Sequence, residues 1–316
     1  MRIAVFKHND GQRLGIVPAG SNGVLIDSVA ASERLGLKSP EPSPDVLSLL
    51  RSSVDPNGYF SKLKQASWND EVFSKARLSI KDLKLEAPIA RPGKIICLAG
   101  NYREHIIESG YAAPQASAII TPQLFLKPST GIIGDGDDII FGSQNRTVGW
   151  ETELAVVIGK GGRSIPAENA YDHVFGYTIL NDVSERALNS RLENRTKREM
   201  DGFFDWLAGK WFDGFAPSGP WIVTADEIAD PHNLEIKLTV NGQTRQQGNT
   251  ADMIFRIPEQ IAYISSIMTL EPGDIISTGT PVGAGVGGTA ALQDGDEMVC
   301  EIEGIGTLRN KVRCDN

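Results

Sequence analysis

The sequence predicts an α+β protein that is mainly β, in which a small N-terminal α/β domain precedes a larger strand-rich domain. From residue 94 onward, short apolar runs rich in β-branched residues alternate with turn signals. The first 85 residues instead mix strand patterns with short helical ones. Residues 85–93 contain two prolines and a glycine, which places the boundary between domains 1–88 and 89–316.

The composition is that of an ordinary globular protein. With 316 residues, 41% of them hydrophobic and 22% charged, the chain can bury a substantial core. The formal net charge of −9 disfavours nucleic acid and anionic lipid as partners. No apolar run approaches the roughly 20 residues of a membrane span, and the N-terminus is charged too early for a signal peptide. We therefore expect a cytoplasmic protein with three reduced cysteines, Cys97, Cys300 and Cys314.

The N-terminal domain shows strand and helix patterns but no chemistry. Alternating apolar residues predict a hairpin of 2–6 with 14–17 around Asn9-Asp10-Gly11, followed by a third strand at 24–26. A serine, a proline and an aspartate at 43–45 predict the start of a helix before the apolar run 46–50. A second short helix is expected at 70–76.

The first candidate for chemistry is a histidine three residues before a glutamate. A strand pattern at 95–98 leads through a turn into residues of helical composition that Gly110 would end. His105 and Glu108 then share one helix face, where the carboxylate can hold one ring nitrogen while the other takes a proton from water. A short helix that ends in glycine also suits a lid. The alternative is a surface ion pair.

Two glutamates at the start of a strand are the centre of the sequence. Residues 154–158 form a β-branched apolar run, so Glu151 and Glu153 project from one strand face about 7 Å apart along the chain. A second strand pattern, 174–180, ends before Asp182 and could bring a third carboxylate to the same place. Three hard oxygen ligands without a nearby histidine or cysteine favour Mg²⁺ or Mn²⁺. The alternative is a set of solvated acids on an open sheet face.

The remaining segments frame this acidic set. Residues 201–213 are the most aromatic stretch, and their glycines predict a loop that holds Lys210 among the rings; an exposed cation–π partner is the alternative. The Gly-rich loop 277–285 lacks the GxGxxG order of a dinucleotide site, but its N–H groups and the Thr280 hydroxyl could hold a small carboxylate. Further patterns predict strands at 221–223, 234–240, 274–278, 297–302 and 306–312, and an amphipathic helix at 257–268.

Six motifs, taken in order, resemble the fumarylacetoacetate hydrolase family over residues 94 to 312. Six motifs in one order are far more specific than any one of them. They are Asn101-Tyr102-Arg103-Glu104-His105-Ile106-Ile107-Glu108, Phe125-Leu126-Lys127-Pro128-Ser129, Trp150-Glu151-Thr152-Glu153-Leu154-Ala155-Val156-Val157-Ile158-Gly159, Asn181-Asp182-Val183-Ser184-Glu185-Arg186, Gly209-Lys210 and Ser277-Thr278-Gly279-Thr280-Pro281.

The resemblance implies a site. It implies that Glu151, Glu153 and Asp182 hold one Mg²⁺ or Mn²⁺ per subunit, and that His105 and Glu108 activate water. It further suggests that residues in or next to the matching motifs contact the substrate or a developing oxyanion: Arg186, Lys210, Thr280, Lys127, Tyr102 and Asn189.

The resemblance also implies a fold and an assembly. The family fold is a mixed β-sandwich roll with a small N-terminal domain, and members are usually homodimers. Better-studied members often carry a glutamine where this chain has Asn189, and the charged stretch 191–200 is longer here. Both departures lie where substrate length would be recognised, so they leave the substrate open.

The leading hypothesis is a metal-dependent hydrolase that cleaves the C3–C4 bond of a 2,4-dioxo acid, an acylpyruvate, to pyruvate and a carboxylic acid. Candidate substrates are fumarylpyruvate, maleylpyruvate and 2,4-dioxo-3-deoxy sugar acids. The cationic stretch 191–198 would suit a distal carboxylate, or it is solvated surface or a dimer contact.

Other activities remain open at this point. One alternative is oxaloacetate-type decarboxylation or enol–keto isomerisation of a 2-oxo acid on the same scaffold, and a remote one is a non-catalytic protein that binds a keto acid and a metal. The pair of His105 and Glu108 favours hydrolysis, because an isomerase needs no activated water.

Overall fold

The computed structural model describes most of the chain. The described residues are 1–8, 11–18, 20–21, 23–37, 46–51, 62–63, 71–115, 119–142, 147–190, 192–285 and 291–315. The predicted turn residues Asn9 and Asp10, the predicted helix start at 43–45, and residues 70 and 191 lie outside them.

Strands predominate over helices in the described residues, and the fold is mixed α+β as predicted. The strands are β1 Arg2–His8, β2 Gly11–Val17, β3 Val24–Asp27, β4 Arg77–Ser79, β5 Leu85–Glu86, β6 Ile95–Ala99, β7 Gln123–Lys127, β8 Ile132–Ile133, β9 Asp138–Gly142, β10 Val148–Gly149, β11 Thr152–Ile158, β12 Val174–Asn181, β13 Ser184–Glu185, β14 Ala216–Thr224, β15 Glu235–Val240, β16 Gln243–Asn249, β17 Ile275–Ser277, β18 Glu297–Ile302 and β19 Gly306–Asp315. The α-helices are α1 Ser28–Leu35, α2 Val46–Arg51, α3 Arg103–Glu108, α4 Asp201–Ala208 and α5 Ile257–Ile267. Short 3₁₀ segments cover Glu71–Ala76, Ile80–Asp82, Ser129–Gly131, Ala167–His173, Ala225–Glu227 and Thr250–Asp252. Within the described ranges, no helix has the length and apolar character needed to cross a membrane.

The N-terminal strands share a sheet with the middle of the chain. That sheet has the order β4-β3-β2-β1-β14-β12-β11-β17-β6-β7, with β5 paired to β1 and β8 paired to β14. Strand β1 lies antiparallel to β14, with Arg2 opposite Val223 and Ile3 opposite Ile222. The boundary between 1–88 and 89–316 stays a prediction, since the strands on its two sides are hydrogen-bonded to each other.

A second sheet, with the order β16-β15-β18-β19-β9, packs against the first. The side chains of Leu154 and Val156 from β11 share a core with Ile236 from β15 and Ile302 from β18. Side chains alternate along a strand, so the neighbouring Val157 lies in a separate core on the opposite face. The apolar run of β11 is therefore buried on both faces, one against the second sheet and the other in a core that includes Val46 and Leu47 of α2.

The register of one strand pair decides where the acidic residues meet. Strands β11 and β12 are antiparallel, with Thr152 opposite Asn181. Just beyond this pair, the Asp182 amide donates to the Glu151 carbonyl over 2.8 Å. Glu151 and Asp182, from strands predicted separately, are thus held side by side at one end of the hairpin.

Residues 201–208 form helix α4, and the predicted loop is wrong there. Glycine in a helix costs about 1 kcal/mol relative to alanine, and tertiary packing outweighs it. The Trp206 ring meets Phe125 edge-on with 5.3 Å between centroids. The Asp201 carboxylate in the first turn accepts from the Arg198 amide at 2.9 Å. The helix ends at Gly209, where a Cβ atom would stand 2.2 Å from the Glu185 carbonyl oxygen, so a residue without a side chain is required before Lys210.

Candidate active site

Three carboxylates converge at the β11–β12 end of the large sheet. Glu151, Glu153 and Asp182 are all buried, and each offers an oxygen within 4.8 Å of the others. Their exposed fractions are 5%, 1% and 0%, so the alternative of solvated acids is wrong. The donor set consists of hard oxygen atoms only, which suits Mg²⁺ or Mn²⁺.

Glu153 is held by the Gly-rich loop that follows β17. Its Oε2 accepts from the Ser277 hydroxyl at 2.6 Å and from the Gly279 amide at 2.8 Å. Burial, then the charges of Asp182 and Glu151, raise the pKa of Glu153 to about 8. A cation bound at Glu153 would therefore favour the ionised form of this carboxyl group.

Three cationic side chains surround the acidic set. The Lys210 ammonium donates to Glu151 Oε2 at 2.9 Å and to Asp182 Oδ2 at 2.7 Å. The Lys127 ammonium donates to Asp182 Oδ1 at 2.6 Å, and an Arg186 guanidinium nitrogen lies 2.6 Å from Glu151 Oε1. Each carboxylate of the pair Glu151 and Asp182 thus has two cationic neighbours.

These contacts keep Glu151 ionised and Lys210 protonated. Burial opposes ionisation of Glu151, but the charges of Arg186 and Lys210 overcome it and hold the pKa of Glu151 below its ordinary value. Burial alone would lower the pKa of Lys210, but the charges of Asp182 and Glu151 outweigh burial and raise this pKa above its ordinary value. Lys210 therefore stays protonated, and at 2% exposure it is no exposed cation–π partner, although its ammonium does lie 5.1 Å from the Phe125 ring centroid.

The predicted pair of His105 and Glu108 lies on helix α3 beside this centre. His105 Nδ1 is 3.4 Å from Glu108 Oε2, and the two side chains are 12% and 23% exposed, so they are not a surface ion pair. After Arg186 and Lys210, His105 is a further group whose proximity lowers the pKa of Glu151, so the imidazole lies near the acidic set. Glu108 Oε2 also accepts from the Gly283 amide at 2.9 Å and from the Ala284 amide at 3.4 Å. The loop therefore fixes the carboxylate that orients the histidine.

The Gly-rich loop uses its donors on carboxylates of the protein itself. The amides of Gly279 and Gly283 bind Glu153 and Glu108 rather than being left free for a small external carboxylate. The Thr280 hydroxyl donates to the Thr152 carbonyl at 2.9 Å and accepts from Gln246 at 2.8 Å. Its contact with substrate stays a prediction.

The other predicted substrate residues lie at different distances from the centre. Lys127 is buried and bonds to Asp182 and to the Val183 carbonyl. Tyr102 is buried at the start of α3, and burial followed by the Glu153 charge raises the pKa of its hydroxyl, which indicates its proximity to the acidic set. Asn189 is exposed and donates to Asp205 on α4 at 2.9 Å. The substrate-binding roles of all three stay predictions.

Sequence reasoning assigned no role to several residues that position the site. Asn101 donates to the Thr278 carbonyl at 2.7 Å and accepts from the Phe255 amide at 2.8 Å, which ties the base of α3 to the loop. Ser277 and Gly279 hold Glu153. These three stand inside matching motifs, so their position was a usable signal. Gln246, which binds Thr280, lies in a polar strand and gave no signal.

Comparison with known proteins finds relatives over most of the chain. Residues 94–313 match the family model described as fumarylacetoacetate (FAA) hydrolase C-terminal. The human protein named oxaloacetate tautomerase FAHD2A, mitochondrial, is 43% identical over 228 residues, which cover 72% of this chain and 68% of the human one.

Solved structures extend the likeness to the whole chain. Maleylpyruvate hydrolase from Sphingobium sp. SYK-6 covers 100% of both chains with 33% identity and a TM-score of 0.75, and it has also been solved with manganese(II) and pyruvate. The 5-carboxymethyl-2-hydroxymuconate delta-isomerase from Mycobacterium smegmatis covers 100% of both chains with 30% identity and a TM-score of 0.71. One scaffold is thus shared by proteins named as a hydrolase, an isomerase and a tautomerase.

Proposed function

The chain belongs to the fumarylacetoacetate hydrolase family, and from this premise we propose that it is a divalent-metal-dependent C–C bond hydrolase. Its substrate would be a 2,4-dioxo acid, an acylpyruvate, cleaved between C3 and C4 to pyruvate and a carboxylic acid. The observation that carries this proposal is the pair of His105 and Glu108, anchored by the Gly283 amide beside the acidic set.

The metal would be held by Glu151, Glu153 and Asp182, with one ion per subunit. Three buried carboxylates with oxygen atoms within 4.8 Å of one another fit Mg²⁺ or Mn²⁺. When bound, the ion supplies a Lewis acid that stabilises negative charge on the 2-oxo group. Manganese(II) and pyruvate in the related maleylpyruvate hydrolase support this assignment.

His105 would act as the base. A carboxylate can only accept, so Glu108 holds the proton-bearing Nδ1 and leaves Nε2 to take a proton from water. The water oxygen forms a bond to C4, the C3–C4 bond breaks, and its electron pair moves onto the pyruvate enolate. That enolate takes the proton back from His105 at C3, so atoms and charge balance. The Lys210 ammonium, kept protonated by its neighbours, would donate to the oxyanion at C4.

Pyruvate release from a panel of acylpyruvates, with Mg²⁺ or Mn²⁺ and with a chelator as blank, tests the proposal. His105→Ala should bind metal normally while hydrolysis falls by about 10²- to 10⁴-fold. His173→Ala is the matched control, because His173 bonds to the Lys160 carbonyl and lies at the opposite end of β12 from Asp182. Full hydrolysis by His105→Ala, or no pyruvate from any acylpyruvate with metal bound, would overturn the proposal.

A second candidate is keto–enol tautomerisation of oxaloacetate. Sequence identity supports it, since the human tautomerase is 43% identical over 228 residues. This reaction moves one proton between C3 and the enol oxygen and adds no water. Decay of enol-oxaloacetate, followed by its ultraviolet absorbance, should be compared with pyruvate release on the same preparation. The larger kcat/KM identifies the activity, and simultaneous CO₂ measurement detects oxaloacetate decarboxylation.

The homodimer is also proposed on the basis of an exposed apolar surface. Phe203 and Phe204 on α4 are 50% and 55% exposed, and Trp211 after the helix is 47% exposed. Contiguous apolar surface of this kind is typical of protein interfaces. Sedimentation velocity should give the mass of two chains, and Phe204→Asp should lower it. A monomeric wild type would refute the dimer.

The cytoplasmic location predicted from the sequence stays a proposal. The three cysteines, which are all free in the structure, support a reducing compartment, whereas the human relative is named as mitochondrial. Fractionation of source cells, with the protein detected by antibody, distinguishes the two compartments.

A further inference from the structure

A closed ring of hydrogen bonds includes the backbone of Thr152, the residue between Glu151 and Glu153. The Thr152 amide donates to Gln246 Oε1 at 2.9 Å, and Gln246 Nε2 donates to the Thr280 hydroxyl at 2.8 Å. The Thr280 hydroxyl in turn donates to the Thr152 carbonyl at 2.9 Å. All three residues are buried, so a group in the ring that lost its partner would be left unsatisfied away from water.

The orientation of the Gln246 carboxamide is fixed by its partners. A backbone N–H only donates and a carbonyl only accepts, so the Thr152 amide requires Oε1. The Pro281 carbonyl, 3.0 Å from Nε2, requires the NH₂ group. The side chain therefore uses its acceptor and its donors at once. An ionised carboxylate of the same shape would supply acceptors only.

The strand that carries Gln246 supports the Gly-rich loop. Strand β16 is at the edge of the second sheet. A Cβ atom on Gly248 of this strand would stand 2.5 Å from the Pro281 side chain. A Cβ atom on Gly283 of the loop would collide with the Arg245 carbonyl oxygen. The loop is thus in close contact with the strand on both sides of Gln246, which explains why this polar strand buries one glutamine completely.

The loop residues that Gln246 binds lie between two anchors of the proposed site. The Gly279 amide holds Glu153 at 2.8 Å. The Gly283 amide holds Glu108 at 2.9 Å. Gln246 bonds to loop residues 280 and 281, which lie between these two amides. A shift of this segment would therefore displace one carboxylate of the acidic set together with the carboxylate that orients the histidine.

We propose that Gln246 is a positioning residue, which holds the acidic set and the pair of His105 and Glu108 in a fixed relation through the Gly-rich loop. The inference rests on the proposed function, since the pair must act on a substrate bound at the acidic set. The polar atoms of Gln246 bond to Thr152 and to the loop, so it acts through them and not on the substrate.

Two substitutions of similar size test this role. Gln246→Met removes the acceptor and the donors, so kcat for pyruvate release from acylpyruvates at saturating Mn²⁺ should fall about 10- to 100-fold. KM should change by less than about threefold, because the substrate loses no contact of its own.

Gln246→Glu keeps the acceptor, and its carboxyl group donates only while it is protonated. Burial raises the pKa of such a group, so kcat of this variant should fall about tenfold relative to wild type between about pH 6 and about pH 9. A side chain that only fills space would give no such profile.

Gln247→Met is the control variant, because Gln247 is the next residue on β16 and its side chain is exposed on the opposite face. Its kcat should stay within a factor of two of wild type at every pH. Thermal melting shows which variants are folded. If Gln246→Met does not fold, the pH profile of Gln246→Glu decides alone.

Three results would overturn the inference and leave the hydrolase proposal intact. They are a wild-type kcat for Gln246→Met, a ratio of Gln246→Glu to wild-type kcat that is the same at every pH, and failure of both variants to fold, which would assign Gln246 a structural role only. A wild type that releases no pyruvate from any acylpyruvate would refute the proposed function, and the inference would fall with it.

Discussion

Replacing Lys127 by methionine is a direct test of how charge is balanced at the acidic set. The Lys127 side chain is fully buried, and its ammonium donates to Asp182 Oδ1 at 2.6 Å and to the Val183 carbonyl at 3.0 Å. Methionine retains most of the apolar stem and removes only the charge. The substitution therefore leaves Asp182 with Lys210 as its remaining cationic partner among the described residues.

The size of the effect follows from the burial of the pair. Removing one partner of a buried ion pair costs about 3–5 kcal/mol, and Lys210 at 2.7 Å compensates in part, so we expect about 3 kcal/mol. The entropy of unfolding is about 2.1 cal/mol/K per residue, or about 0.7 kcal/mol/K for 316 residues. The metal-free variant should therefore melt about 4–5 °C below wild type.

Calorimetric melting with and without Mn²⁺ measures the effect. A divalent ion at Asp182 replaces the missing positive charge, so saturating Mn²⁺ should raise the Tm of the variant more than that of wild type. Lys94→Met is the matched control, because Lys94 pairs with the buried Asp274 at 2.9 Å outside the acidic set. The Tm of Lys94→Met should fall, but Mn²⁺ should raise it no more than it raises the Tm of wild type. A Lys127→Met protein that melts within 1 °C of wild type, or that responds to Mn²⁺ no more than wild type, would refute the reasoning.

Further predictions concern the pH, the orienting carboxylate and two glycines. Burial and the neighbouring acids raise the pKa of Glu153 to about 8, so below that pH a metal ion must displace the proton of Glu153. Calorimetric titration should show that Mg²⁺ affinity rises about tenfold per pH unit from about 6 to 8 and is constant above pH 8. An affinity that does not change with pH would contradict this. Glu108→Gln should lower kcat for acylpyruvate hydrolysis about 10- to 100-fold without changing the Mn²⁺ affinity measured by calorimetry, and weaker Mn²⁺ binding would assign Glu108 to the metal site instead. Gly149→Ala places a Cβ atom 2.9 Å from Arg186 Nε, which should shift the guanidinium away from Glu151. The kcat/KM for hydrolysis should therefore drop about tenfold, and an unchanged kcat/KM would contradict this. Gly202→Ala meets nothing within 4 Å and should instead raise the stability to urea by about 0.5–1 kcal/mol.

Local pattern was sufficient for most of the strands. The hairpin of β1 and β2, the buried β11 and the late strands follow from alternation and turn residues, which act over a few positions of the chain. Helix α4 was missed because Gly202 inside it and Gly209 at its end disfavour a helix locally, whereas the packing of Trp206 on Phe125 favours it. Such contacts join residues far apart in sequence, where periodicity carries no information.

The sequence also determined part of the arrangement of Glu151, Glu153 and Asp182. The two-residue spacing of Glu151 and Glu153 fixes their common face, because the side-chain period of a strand is two. The arrival of Asp182 beside them depends on the β11–β12 register, which the sequence suggested only by the similar endings of two strand patterns.

The sequence by itself determined the strand-rich class, the shared face of the two glutamates and the common helix face of His105 and Glu108, since all of these depend on chain geometry over a few residues. The tertiary structure alone decided that Lys127, Arg186 and Lys210 neutralise the carboxylates, and that the loop amides hold Glu108. These partners come from separate elements. Their distances are set by sheet order and loop closure, which no spacing along the chain specifies.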